Sequence, residues 1–295
     1  MAETPRIGLI ANPSKPGARE LLLDLIARFT EEGATLVLEE NSASLLDDCE
    51  GVPLTELSAL VDLFVVLGGD GTILWVLRQL DHKIKPIAAI NTGTLGFMTC
   101  ATAETSGALV EALVSGNYLR SDRIVISGQL VQNKKVLERF YALNEVTLCR
   151  GVDSRVIHVE ACVNELIANR YTGDGLILAT PTGSTAYSLS AGGPLVQPGS
   201  NVFVLTPICP HTLANRPLVV DAKSKIRFDV PVQRDDLALM VDGQLVSTIS
   251  KPAHVRMRKA DFKLPLIAMP DQNFYHVLNN KMGWTGSSIS GSECS

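Results

Sequence analysis

Residues 65–74 read VVLGGDGTIL: an apolar run stops, three glycines and one carboxylate fill four consecutive positions, and Thr72 opens a stretch of helical pattern that lasts to Leu80. The segment leading in, DLFVVL (62–67), is apolar after its first residue, as expected of a strand covered on both faces. The decagon therefore reads as a buried parallel strand, a glycine-rich turn and the start of a helix.

The same alternation extends outward on both sides. RIGLIA (6–11) reads as a strand and NPSKPG as a loop, and Leu21, Leu22, Leu25, Ile26 and Phe29 then recur at helical spacing until Gly33. ATLVLEE and KPIAAI are further strands, and Ala103 to Ser115 carries Leu109, Leu113 and Val114 on one side. Strand alternating with helix predicts an α/β domain with a parallel, Rossmann-like sheet over residues 1–118. From about Tyr118 the period becomes two. In RVIHVEACVN, Ile157, Val159, Ala161 and Val163 share one face, and KIRFDV and HVRMR repeat the pattern. Asp242-Gly243 between the apolar arms of ALMVDGQLV signals a hairpin. Residues 119–265 are thus expected to form a mostly antiparallel β domain, followed by a helix in DQNFYHVLNNKMG and a disordered tail over 283–295. GDGLIL at 173–178 echoes GDGTIL at 69–74.

Composition narrows the function classes. A chain of 295 residues with 46% hydrophobic and 19% charged residues has material for two cores. A net charge of −5 argues against a nucleic-acid partner, since phosphate backbones are held by clustered Lys and Arg. The N-terminus lacks a basic lead with an apolar core, and no run approaches the ~20 apolar residues that span a bilayer, so a cytoplasmic protein with no membrane partner is expected. Six widely spaced cysteines, with no CxxC pair, predict reduced and mostly buried thiols.

Ligands of open α/β sheets bind at the carboxyl ends of the strands, where backbone amides and a helix N-terminus favour anions. Glycines there let phosphates approach the backbone. Asp70 would repel a phosphate unless a cation or a proton donor stands between them, so its chemistry is to hold Mg²⁺ or to accept a hydroxyl proton, which points to phosphoryl transfer. A Gly-Asp-Gly stretch also suits a plain tight turn, and neither GxxxxGK[ST] nor GxGxxG occurs. The loop NTGTLGF (91–97) should emerge at the same sheet edge, with Phe97 stacking on a purine or packing in the core. Asn144-Glu145 interrupts two apolar runs, as a site pair or as a solvent-facing strand end. The run from Asp174 to Pro194 concentrates small residues and hydroxyls that suit close hydrogen bonding to a sugar or amide, or a loop of weak turns.

Taken in order, GGDGT, NTGTLGF, Asn144-Glu145 and the block Asp174 to Pro194 with its TPTGSTAYSLSAGGP resemble the NAD kinase family, and PHTLANRPLVV (210–220) resembles a fifth family segment. The resemblance implies transfer of a phosphoryl group from ATP to the 2′-hydroxyl of the adenosine ribose of NAD, giving NADP and ADP. It implies an α/β domain, a β domain, a C-terminal segment (266–282) returning to the first, and a homo-oligomer, dimer or tetramer, with the NAD site near the subunit interface. Carried over by position, Asp70 is the catalytic candidate and also contacts NAD with Gly71, Phe97, Asn144, Glu145, Asp174, Thr182, Thr185, Ala186, Tyr187 and Ser190. The amides of Gly68, Gly69 and Thr72, with a divalent cation, Mg²⁺ by preference, would face the ATP phosphates; Arg170, His211, Arg216 and Gln244 are further candidates. Many relatives have an acidic residue soon after the Phe of NxGxxGF, where this chain has Met98-Thr99-Cys100. A lipid or sugar kinase would share GGDGT without the later segments, and a non-catalytic nucleotide sensor would lose the reacting carboxylate that Asp70 keeps.

Overall fold

The computed structural model describes residues 4–93, 95–151, 156–231 and 236–284, so the expected tail from Thr285 onward and Thr94 of the NTGTLGF loop lie outside the described residues. The α/β half comprises β1 (Arg6–Ala11), α1 (Ala18–Glu31), β2 (Thr35–Leu38), α2 (Glu40–Ala43), α3 (Leu54–Leu60), β3 (Leu63–Leu67), α4 (Asp70–Leu80), β4 (Ile87–Asn91), β5 (Ala101–Thr102) and α5 (Ser106–Ser115). The β half follows with β6 (Leu119–Gln132), β7 (Lys135–Ala142), β8 (Glu145–Arg150), β9 (Ile157–Val163), β10 (Leu166–Gly173), β11 (Gly175–Ala179), α6 (Tyr187–Ser190), β12 (Val202–Ile208), β13 (Leu218–Asp221), β14 (Ile226–Val230), β15 (Leu237–Val241), β16 (Gln244–Ile249) and β17 (Ala253–Ala268), and α7 (Phe274–Met282) closes the described chain.

In the first half the strands run parallel in the order β2-β1-β3-β4. All five residues of β3 are buried, as the apolar run LFVVL requires of a central strand. The helices cover both faces of this sheet. Leu22, Leu25 and Phe29 of α1 and Leu109 and Leu113 of α5 pack on Leu9, Val65 and Ile90. On the opposite face, Leu54 and Leu57 of α3 and Ile73, Val76 and Leu77 of α4 pack on Phe64, Val66 and Ile87.

The second half is a sandwich of two antiparallel layers around one core that includes Phe140, Val146, Leu148, Val159, Phe203, Phe228 and Val255. One layer is the six-stranded sheet β13-β12-β11-β8-β15-β16. The other is continuous with the first half, because the 16-residue strand β17 pairs with β14 and β6 and then lies parallel to β4, with Leu266 opposite Ile87. The two periodic regimes of the sequence thus share one 11-stranded sheet. Helix α7 returns to the first half: just before it Gln272 donates to the Thr99 carbonyl at 2.7 Å, and its Phe274 ring lies 6.4 Å from that of Phe97.

One strand was not anticipated and one expectation changes. Strand β7, KVLERFYA, has no clean alternation because its first five residues are exposed; it is fixed by pairing with β6 through a turn in which Asn133 and Lys134 take φ of 50° and 65°. The cysteines are not mostly buried: of the five described, Cys100 and Cys162 are buried, Cys149 is half-buried, and Cys49 and Cys209 are exposed on loops.

Candidate functional site

The strand order reverses between β1 and β3, so the crevice beyond their carboxyl ends is where an open parallel sheet places a ligand. A cavity of about 330 Å³ occupies it, lined by Asn12 and Pro13 after β1, Glu39 and Asn41 after β2, and Gly71, Thr72 and Trp75 of α4. Glu39 is buried and already committed, accepting from Asn41 Nδ2 at 2.6 Å and from the Ser42 amide and hydroxyl at 3.0 and 2.8 Å. The expected anion-facing amides are only partly available. Gly68 N donates to the Ile90 carbonyl and Thr72 N to the Gly69 carbonyl, both at 2.9 Å, whereas Gly69 N has no partner among the described residues. Gly69 and Gly71, flanking the first residue of α4, are the positions where amides remain directed outward from the helix N-terminus.

Asp70 is the first residue of α4, and its carboxylate is held from the neighbouring loop: Phe97 N donates to Oδ2 and Met98 N to Oδ1, each at 3.2 Å. The loop comes this close because residue 96 is glycine; a Cβ there would stand 2.5 Å from Asp70 Oδ1. Burial pushes the Asp70 carboxyl above its ordinary range, while the two amides and the charges of Lys281 and Arg123 pull it back.

Arg123 was not anticipated. It lies on β6, is 9% exposed, and its Nε has no hydrogen-bond partner among the described residues. Burial lowers its pKa to about 10 against the opposing attraction of Asp70. The one available signal was a cation beside the apolar run Ile124-Val125-Ile126. With Phe97, Gln272, Phe274 and the loop 197–199, Arg123 lines a second cavity of about 270 Å³. Phe97 is half-buried there rather than a core residue.

The Asn144-Glu145 pair is not a solvent-facing strand end. Glu145 is 5% exposed, its Oε2 has no hydrogen-bond partner among the described residues, and burial, with Asp242 adding repulsion, raises its pKa to about 8. A neutral carboxylic acid at pH 7 results. Asp242, read in the sequence only as a turn residue, accepts from the amides of Leu143, Asn144 and Glu145 at 2.9, 2.8 and 3.0 Å, which clamps the pair. Burial raises the Asp242 pKa against those three amides. Gln244, one residue past this turn, accepts from Arg78 of α4, so the hairpin is tied to the helix that carries Asp70.

The TPTGSTAYSLS segment wraps over the start of β8. Thr180 N donates to the Asn144 carbonyl at 2.8 Å, and a Cβ on Gly183 would lie 2.1 Å from that same oxygen, so only glycine permits the contact. Thr182 is buried, Thr185 and Ala186 are half-buried, and Tyr187 and Ser190 face outward. Tyr187 lies within electrostatic reach of Asp174 and Glu145. Asp174 pairs with Arg150 at 3.4 Å. His211 N donates to the Thr172 carbonyl at 2.9 Å, bringing its loop to the end of β10. Arg170 instead pairs with Glu160 at 2.7 Å, and Arg216 donates to the carbonyls of Leu213 and Asn215 in its own loop. The contacts therefore join Asp70 with the Phe97 loop and group Asn144, Glu145 and Asp174 with Tyr187, while Arg170 is engaged by Glu160 and Arg216 by its own loop.

For a divalent cation, Asp70 is the carboxylate at the helix N-terminus, and each of its oxygens accepts one amide, leaving further lone pairs. One carboxylate fits a Mg²⁺ ion held chiefly by phosphate oxygens and water. The metal-like cluster among the described residues, Glu160, Cys162 and Asp229, lies on the outer sheet face, where Arg170 and Arg227 already occupy its carboxylates.

Known proteins resemble this chain along most of its length. The family models of the ATP-NAD kinase N-terminal domain and C-terminal domain match residues 7–118 and 143–269. The NAD kinase of Syntrophotalea carbinolica is 38% identical over 280 residues, covering 95% of this chain and 98% of that protein. The NAD kinase of Wolinella succinogenes is 36% identical, covering 96% and 97%. Among solved structures, an NAD kinase from Archaeoglobus fulgidus in complex with ATP superposes with a TM-score of 0.72 at 26% identity, covering 95% of this chain and all of that one. A yeast NADH kinase complexed with NADH shares the fold, with a TM-score of 0.88 at 24% identity over 99% of this chain and 91% of that one.

Proposed function

The chain belongs to the NAD kinase family, and we propose that the residues converging on Asp70 carry out that family's reaction, transfer of the γ-phosphoryl group of ATP to the 2′-hydroxyl of the adenosine ribose of NAD. The observation that carries the residue assignment is a single carboxylate at a helix N-terminus, fixed from the side by two amides and facing a buried guanidinium.

Phosphoryl transfer has a loose transition state, so catalysis rests on alignment and on neutralising the phosphoryl oxygens. In this reading the cavity at the strand crossover takes the nucleoside of ATP: Trp75 offers a flat surface to the base, Asn12 and Asn41 its polar edge, and the α4 N-terminus the phosphates. Mg²⁺ would supply neutralisation of the phosphate charge, and Asp70 is the carboxylate with lone pairs left to hold it. Asp70 accepts the 2′-hydroxyl proton as the oxygen attacks the γ-phosphorus and the bond from that phosphorus to the bridging β-phosphate oxygen breaks, releasing ADP. Its raised pKa makes it a better proton acceptor than an exposed carboxylate. Arg123 holds Asp70 ionised before the transfer. Glu145, neutral, donates a hydrogen bond to a ribose oxygen of NAD while keeping its proton, and so satisfies the buried atom left without a partner. Thr182, Thr185, Ala186, Tyr187 and Ser190 supply the remaining NAD surface, with Asp174 toward the nicotinamide end.

A homo-oligomer with this surface near its interface fits the exposure of Leu213 (90%) and of Leu218 and Val219 on edge strand β13, on the segment that also carries His211. No helix among the described residues is long and apolar enough to cross a membrane.

The test is NADP formation from NAD and Mg²⁺-ATP, read by a dehydrogenase that accepts NADP alone, beside calorimetric NAD binding. Asp70→Asn is expected to lower turnover by ~100-fold or more with little change in the NAD dissociation constant. Collapse of NAD binding with a normal rate per bound substrate would make Asp70 a binding residue instead.

A further inference from the structure

The outer face of the large sheet concentrates cations on a chain whose net charge is −5. Strand register places Arg139 of β7 opposite Gln129 of β6, Gln129 opposite Arg256 of β17, and Arg256 opposite Arg227 of β14. One row across four strands thus carries three guanidinium groups, and the next row on the same face adds Arg258 opposite Ser127. Val255 and Met257, which alternate with these arginines, are buried in the sandwich core, so Arg256 and Arg258 point outward. The side chains enclose a cavity of about 330 Å³, to which Lys225 adds a fifth cation and Glu165 the one carboxylate.

Like charges placed directly opposite on neighbouring strands repel, so such a pair is expected only where a counter-charge holds it. Arg227 has one, pairing with Glu165 and Asp229, and Arg258 pairs with Asp261 at 2.7 Å. The Arg256 and Arg139 side chains have neither a hydrogen bond nor an ion pair among the described residues, and both residues are exposed. Two unneutralised guanidinium forks therefore border a concave site beside two more whose carboxylates do not reach them.

We propose that this cavity binds a small anion carrying two or more linked phosphates, at a site separate from the kinase centre. Arginine forks match phosphate oxygens bidentately, which favours phosphate over a halide or a single carboxylate. Four strands span ~14 Å at the Cα level, so the row is wider than one phosphate can bridge and suits a phosphate chain. The chain comes from a nucleotide tail or from free inorganic phosphate polymer; the recognising chemistry is the same.

The experiment compares pyrophosphate and ADP binding by calorimetry in the wild-type protein, in Asp70→Asn, and in an Arg139→Gln/Arg256→Gln double variant, with NADP formation and sedimentation measured on each. The expected result is a pyrophosphate site kept in Asp70→Asn and weakened about ten-fold or more in the double variant, as loss of charge-assisted hydrogen bonds predicts, with turnover of the double variant unchanged. Equal affinity for the two probes assigns the site to the phosphate chain alone, and tighter ADP binding that also depends on Arg139 and Arg256 assigns it to a nucleotide. Isotherms that are the same in the wild type and the double variant would overturn the proposal. So would a change of oligomeric state in the double variant with pyrophosphate binding intact, which would make the face an interface between copies. Neither result bears on Asp70, whose assay is separate. Arg256→Gln alone, at an exposed position, repeats the comparison should the double variant fold poorly.

Discussion

Glu145→Gln should flatten the pH dependence of stability. In the folded protein burial and the neighbouring Asp242 hold Glu145 protonated to about pH 8, whereas its ordinary value is 4.5. Between those values the unfolded chain has released this proton and the folded chain has kept it, so the folded state binds more protons and stability must fall as pH rises. The stabilising effect is complete below 4.5 and is lost by the time pH passes about 8. At ~1.36 kcal/mol per pH unit, the gap amounts to about 5 kcal/mol, a substantial part of the 5–15 kcal/mol typical of a whole domain. Glutamine has nearly the same shape and cannot ionise. The variant should therefore track the wild type near pH 4.5 and become progressively more stable relative to it, by about 1.4 kcal/mol for each unit up to about pH 8. Urea unfolding of both proteins across this range measures the difference directly from the midpoints. Parallel stability curves would refute the reasoning, because they would mean that Glu145 is as ionised in the folded protein as in the unfolded one.

Three further outcomes follow from the same contacts. Gly183→Ala must displace the Asn144 carbonyl, which a Cβ would approach to 2.1 Å; a loss of ~1–3 kcal/mol in thermal unfolding and a raised KM for NAD are expected, with KM for ATP unmoved. Arg123→Met removes a cation that draws the Asp70 pKa down, so the acidic limb of kcat/KM should move to higher pH, with Arg123→Lys restoring part of the shift; an unmoved limb would reduce Arg123 to a packing residue. Trp75→Leu should raise KM for ATP by about two- to ten-fold and leave NAD binding alone, and the reverse pattern would move the ATP nucleoside out of the cavity at the strand crossover.

Periodicity and apolar runs carried the architecture. LFVVL could hardly be other than a central strand, and the change to period two near Tyr118 marks where the β half begins at Leu119. The motif segments located the candidate site by resemblance, since their order survives in sequence even where their contacts do not show. Three features were not legible. Strand β7 lacked alternation because only its pairing with β6 holds it. Arg123 looked like any charged residue at a strand start, and the cavity it lines is completed by α7 and the loops around Phe97 and Pro198, all distant in sequence. The clamp of Asp242 on Leu143, Asn144 and Glu145 joins residues 97 to 99 positions apart.

The twin strings GDGTIL and GDGLIL mark the boundary between the two kinds of information. By itself the sequence determined that apolar segments in each half would be buried, and that the glycines and aspartates between them would turn. It could not determine that Asp70 opens helix α4 while Asp174 sits between two strands, β10 and β11. That outcome depends on the neighbours. The residues after Asp70 lay one face on the parallel sheet through Ile73, Val76 and Leu77, whereas Leu176 to Ala179 are enclosed between β8 and β12 and satisfy their backbone groups only as a strand. Local sequence sets what a segment can become, and the partners that cover its backbone and its charges, brought from far along the chain, decide which.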